Sequence, residues 1–153
     1  MIIKQIVNED FYNYKFPSML IAFPKCSMKC GIGVCHNNTL LSDPDIHIDI
    51  NALVDLYILN PITSAIVFGG LEPFDSFDDM VLLINAFREK TNDTIIIYTG
   101  YEELELSNRI CTLIQYDNII VKYGRYIPNQ LSYYNELLGV KLYSYNQYAV
   151  KIS

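Results

Sequence analysis

Two kinds of segment alternate along this chain. Short continuous apolar runs at Ser18–Phe23, Ser64–Phe68, Thr94–Tyr98 and Asn118–Tyr123 read as strands buried on both faces. Between them lie stretches with helical spacing. Ile50–Leu59 has an apolar stripe at Leu53, Leu56 and Tyr57, with Asp49 as its N-cap and Asn60-Pro61 as its stop. Phe77–Lys90 places Phe77, Met80, Val81, Ile84 and Phe87 on one face. Asp75 or Ser76 caps it, with Ser76 and Asp79 spaced as a capping box. Glu102–Ile114 is helical in pattern but less regular. At the edges, Met1–Val7 predicts a first strand, Asn8–Pro17 is polar and aromatic, and Asn37–Ile48 is irregular around Asp43-Pro44-Asp45. Arg125–Ser132 predicts a loop and Tyr133–Leu138 a short helix stopped by Gly139. Val140–Tyr143 and Tyr148–Ile152 predict a terminal hairpin.

Strand–helix alternation of this kind predicts an α/β fold around a mostly parallel sheet. About four βα units are too few for a full eight-fold barrel. The expectation is therefore a small open or partial βα barrel with a C-terminal hairpin, residues 1–153 forming one domain. In such sheets ligands collect at the carboxyl ends of the strands. Here those ends carry a cysteine loop, Gly69-Gly70, Thr99-Gly100 and Tyr123-Gly124. These four loops are expected to converge on one site.

The cysteine loop, Cys26-Ser27-Met28-Lys29-Cys30-Gly31-Ile32-Gly33-Val34-Cys35-His36, holds three of the four cysteines at Cys-x3-Cys-x4-Cys spacing. Its two glycines let the backbone wrap so that three thiolates face one object. Thiolates select zinc or an iron–sulfur cluster. A structural zinc site is closed by four ligands, and either His36 or Cys111 would have to complete it. A cubane on three cysteines instead keeps one iron open. Reduced structural cysteines would not need to cluster on a glycine-containing loop.

Charge and composition narrow the partners. The formal net charge of −6 disfavours nucleic acid, which needs a basic surface. The N-terminus has no basic region followed by a long apolar run, and no apolar stretch suffices to cross a membrane. The expectation is a cytoplasmic protein whose thiols stay reduced, so clustered cysteines signal a metal rather than disulfides.

With these residues in hand, the chain resembles the radical S-adenosylmethionine (SAM) proteins. More narrowly, it is similar to the activating proteins of anaerobic ribonucleotide reductases. The resemblance rests on the three-cysteine loop after an apolar strand, on His36-Asn37 behind it and on Phe68-Gly69-Gly70-Leu71-Glu72-Pro73. Tyr98-Thr99-Gly100-Tyr101, Lys122-Tyr123-Gly124-Arg125-Tyr126 and Tyr145-Asn146-Gln147 complete it. The family's usual second cysteine gap is two residues, where this chain has four. Val34 stands where an aromatic usually precedes the third cysteine and packs near adenine, and Leu71 is an extra residue in the Gly-Gly-Glu-Pro element.

The resemblance implies a [4Fe–4S] cluster on Cys26, Cys30 and Cys35, with SAM on the open iron. It implies SAM contacts from Gly69, Gly70, Glu72, Thr99, Asn37 and the position of Val34. Lys122 and Arg125 would neutralise SAM or dock a partner, and His47 and Cys111 would be structural. The implied reaction is reductive SAM cleavage that installs a glycyl radical on an anaerobic ribonucleotide reductase. A flavodoxin-like or other low-potential reductant would supply the electron. The competing readings are SAM cleavage on another peptide or small molecule, and a non-catalytic metal- or cluster-binding module.

Overall fold

The computed structural model of the chain describes residues 1–31 and 33–153. In chain order the strands are β1 (Ile2–Ile3), β2 (Gln5–Asp10), β3 (Ser18–Phe23), β4 (Ile46–His47), β5 (Ala65–Gly70), β6 (Thr94–Tyr98), β7 (Ile119–Tyr123), β8 (Tyr133–Asn135), β9 (Val140–Leu142) and β10 (Tyr148–Lys151). The α-helices are α1 (Ile50–Ile58), α2 (Phe77–Arg88) and α3 (Ser107–Leu113). Six strands form the main sheet in the order β10-β7-β6-β5-β3-β2. Its four inner strands, β3, β5, β6 and β7, are parallel, and the two edges, β2 and β10, pair antiparallel. The fold is thus α/β with a mostly parallel sheet.

The inner strands are nearly all apolar because both faces are covered. Ile66 and Phe68, Ile95 and Ile97, and Val121 and Tyr123 face the helices. There they pack with Leu53, Met80, Ile84, Phe87 and Leu113 in the larger core. The intervening residues Ala65, Val67, Ile96 and Ile120 face the other way and form a smaller core with Tyr14, Leu138 and Leu142. The period of two along each strand therefore feeds two cores. Because the strands are parallel and in register, their carboxyl ends finish at one edge.

Local signals explain most of the helix boundaries. Asp49 caps α1 by accepting from the Ala52 N–H at 3.1 Å. Within α1, Leu53, Val54 and Tyr57 are buried, whereas Leu56 is exposed, so the stripe lies one residue away from the expected one. The start of α2 also departs from expectation. Ser76 makes no capping bond; a 3₁₀ turn over Pro73–Ser76 precedes the helix, and the Glu72 carboxylate caps that turn through the Phe74 N–H at 3.1 Å. Pro73 fits there because the first turn needs no N–H from it. A second 3₁₀ turn, Glu103–Leu106, enters α3, closed by a capping box between Glu102 and Glu105.

Two expectations near the C-terminus are corrected. Tyr133–Leu138 is not a helix: Tyr133–Asn135 is strand β8. The strands expected at Val140 and Tyr148 both exist but do not pair with each other. β9 pairs antiparallel with β8, while β10 adds to the edge of the main sheet beside β7. Burial decides this. Leu138 and Leu142 are needed over the open face of the sheet, and the β7 edge needs a partner for its backbone groups. At the N-terminus the expected single strand is divided at Lys4, and β1 pairs with β4, which lies in the stretch read as irregular.

Candidate metal centre

The cysteine loop leaves β3 at Phe23 and is tied to the ends of the neighbouring strands. The Leu71 N–H donates to the Phe23 carbonyl at 3.4 Å, and the Glu72 N–H to the Lys25 carbonyl at 2.8 Å. The Ser27 N–H donates to Asp75, and the Tyr101 hydroxyl donates to the other Asp75 oxygen at 2.6 Å. Lys29 lies over the Tyr101 ring, 4.5 Å from its centroid. Further on, Asn37 donates to the Gly70 carbonyl at 2.8 Å. Gly31 takes φ +91°, the left-handed region where a side chain would be strained, and its carbonyl accepts the N–H groups of Val34 and Cys35.

The four strand-end loops do converge. A cleft of about 440 Å³ is lined by Cys30 and Cys35, by Gly69 and Gly70, by Thr99 and Gly100, and by Lys122 and Gly124. Cys26 and Cys30 border a small hollow beside it, with Glu72, Gly100 and Arg125. Gly70 has φ +86°, and a Cβ there would stand 2.6 Å from the Ala22 Cβ and 2.7 Å from its Cα. Only glycine lets β5 end this close to β3.

Glu72 is the hub beneath the cleft. It is buried, and its carboxylate accepts from the Phe74 N–H, from the Thr99 hydroxyl at 2.8 Å and from the Gly100 N–H at 2.9 Å. Thr99 Oγ1 in turn accepts from the Tyr101 N–H at 3.0 Å. Burial pushes the Glu72 carboxyl up to about 7, against the pull of those three donors. The polar atoms of Glu72 and Thr99 are thus occupied with each other and with backbone, joining the ends of β5 and β6. Lys122 is buried too. Its ammonium donates to the Gly124 carbonyl at 3.0 Å, and among the described residues no carboxylate lies within ion-pair distance. Burial pushes its ammonium down to about 8.

A third set of contacts clips the cysteine loop from outside. Glu105 holds Arg125 at 2.7 Å through both carboxylate oxygens and Lys29 at 3.4 Å. The Glu102 N–H, and then Arg125, hold the Glu105 carboxyl down to about 2. These side chains are partly exposed, so each pair contributes no more than about 1 kcal/mol.

The thiols suit a cluster. Met28 donates its N–H to Cys26 Sγ at 3.2 Å, and the backbone of Tyr126 donates to the Cys30 thiol. Such N–H···S bonds stabilise ligating thiolates and tune an iron–sulfur centre. Gly100 leaves the room: a Cβ there would stand 3.2 Å from Cys30 Sγ. In the metal-free chain burial raises the thiols of Cys26, to about 11, and of Cys30, so they stay protonated near neutrality and loading a metal releases protons.

Among the described residues no three His, Cys, Asp or Glu side chains converge closely enough to hold a single metal ion. Cys111 lies exposed on α3 and lines neither the cleft nor the hollow, and His36 packs against tyrosines. A cubane is broader than one ion, and its three thiolates stand around it rather than meeting at a point.

Of the residues expected from sequence to contact a bound cofactor, Gly69, Gly70, Asn37 and Thr99 line the cleft. Glu72 lies beneath it, bordering the adjoining hollow. Val34 is half-buried and does not line the cleft. The sequence offers Asp75 only as a helix cap and gives Glu105 no role, because their partners, Ser27 and Lys29, are distant in sequence and carry no motif. The Asn146-Gln147 element has a supporting role. Gln147 Oε1 accepts from the Tyr143 and Ser144 N–H groups, and Asn146 donates to the Arg125 carbonyl at 2.8 Å.

A family model described as a 4Fe-4S single cluster domain matches residues 19–147. No curated protein and no solved structure matches the chain.

Proposed function

The chain belongs to the 4Fe–4S single cluster domain family, and from that premise we propose that it is a radical SAM activase whose substrate is a glycyl radical enzyme, an anaerobic ribonucleotide reductase. The observation that carries this reading is the meeting of Cys30, Cys35, two glycine turns and a buried lysine around one cleft at the carboxyl ends of parallel strands, with Cys26 in the hollow that adjoins it at Cys30. In this reading the sheet is the partial βα barrel that the resemblance implies.

Cys26, Cys30 and Cys35 hold the cluster. When bound, the cluster would supply the single electron for reductive cleavage of SAM, the chemistry that would oxidise a glycine of the partner to its radical. A flavodoxin-like or other low-potential reductant provides that electron. The chain's own residues bind, orient and exclude water. Gly69 and Gly70 give the methionine part a wall without side chains. Lys122 offers its ammonium to the carboxylate. Asn37, fixed on Gly70, borders the same wall. Glu72 and Thr99 act by holding Gly100 and the turn beside Cys30 in place.

A protein substrate suits the remaining space. Leu138 and Leu142 already cover the face of the sheet where a separate small substrate would lie, and about 440 Å³ is a volume for one nucleotide-sized ligand. No helix of the described residues is long and apolar enough to cross a membrane.

The test is anaerobic reconstitution with iron and sulfide, reduction with dithionite, and addition of SAM with the candidate reductase. The expected result is release of 5′-deoxyadenosine and a glycyl radical signal in electron paramagnetic resonance. A loaded, reducible cluster that leaves SAM intact would instead identify a cluster-binding module without this chemistry.

A further inference from the structure

The residue after the third cysteine begins a second arrangement at the mouth of the cleft. The His36 imidazole lies against the Tyr126 ring, centroids 3.8 Å apart and tilted by 45°, and meets Tyr143 edge-on at 5.7 Å. All three rings line the cleft. They come from three distant segments: the cysteine loop, the loop after β7 and the residue following β9. Tyr143 is 61% exposed and His36 is exposed as well. Aromatic faces left open to water at a cleft mouth favour a flat partner, since stacking removes apolar surface from water at little entropic cost.

This cluster is fastened to the thiols at both ends. The backbone of Tyr126 donates to the Cys30 thiol, and His36 follows Cys35 directly. Lys122, Gly69, Gly70 and Gly100 line the same cleft as these rings. The cleft therefore combines a cation, walls without side chains and aromatic rings. A nucleoside that carries an amino-acid carboxylate has the complementary groups. Position 34, where the resemblance puts the base-packing aromatic, is a valine outside the cleft.

We propose that Tyr126 and Tyr143, gathered by His36, form the platform on which the base of the nucleotide stacks, replacing the side chain missing at position 34. The inference rests on the reading of the cleft as a SAM site. In Tyr126→Leu the backbone N–H that serves Cys30 remains while the ring is lost.

The experiment compares equilibrium binding of SAM to anaerobically reconstituted wild type, Tyr126→Leu, Tyr126→Phe and Tyr143→Leu, with iron content measured in each. Loss of one stacking surface is expected to weaken SAM binding about tenfold in both leucine variants. Tyr126→Phe, which keeps the ring, should bind within about twofold of wild type, and iron content should stay unchanged throughout. Wild-type affinity in both leucine variants would overturn the platform while leaving the SAM site standing. Loss of iron in both leucine variants would overturn it also, because the rings would then be packing the cysteine loop. A loaded wild type that takes up no SAM would remove the SAM reading itself, and the platform with it.

Discussion

Glu72 gives the sharpest test of how the strand-end loops are held together. Its carboxyl is buried under the cleft, and burial raises it from 4.5 to about 7. A raised folded-state value means that the folded chain holds this proton more tightly than the unfolded chain does. The resulting stability is fully present below about pH 4.5 and is lost as pH rises through about 7. The gap between those two values, at about 1.4 kcal/mol per pH unit, amounts to ~3 kcal/mol. That is a large share of the ~5–15 kcal/mol by which domains are usually stable. Glu105 is shifted the other way, to about 2, so its contribution is lost only as pH falls below 4.5 and does not overlap this window. The assay is urea unfolding of the metal-free chain, followed by far-ultraviolet circular dichroism between pH 5 and pH 8. Wild type should lose roughly 2–3 kcal/mol across that range, and Glu72→Gln, which cannot ionise, should lose little of it. An equal pH slope in the two proteins would show that Glu72 does not titrate there and that its three donors outweigh its burial.

The remaining predictions concern the cysteines and the glycine wall. Alanine at Cys26, Cys30 or Cys35 should each abolish iron retention after anaerobic reconstitution, while Cys111→Ala should keep the wild-type iron content; iron loss in the Cys111 variant would make it a ligand. Gly70→Ala combines a left-handed backbone with a Cβ 2.6 Å from Ala22, costing about 1–2 kcal/mol for the backbone and roughly 1–3 kcal/mol for overpacking. At about 2–4 °C per kcal/mol the melting temperature should fall by roughly 5–15 °C, and a fall below about 2 °C would show that β3 and β5 separate easily at this end.

The chain's own residue order settled a good deal of this protein. Runs such as Thr-Ile-Ile-Ile-Tyr at β6 are too apolar for any place but a doubly covered strand, so the parallel layers and the edge where their loops meet follow from local pattern alone. The spacing of three cysteines on a glycine-containing loop likewise announced its chemistry, because few things other than a soft metal centre require it. What pattern could not decide was pairing. The strands at Val140 and Tyr148 look like the two arms of one hairpin, yet they serve different sheets. Which backbone edge is vacant and which apolar face is bare are properties of the assembled sheet. Glu72 is similar: in the sequence it is one carboxylate before a proline, but with Thr99 and Gly100 folded against it the side chain becomes a buried joint between strands. The meeting of His36, Tyr126 and Tyr143 was equally out of sight. Those residues are far apart along the chain, and only the packing of the small β8-β9 sheet beside the strand ends of the parallel sheet brings their rings to the same opening.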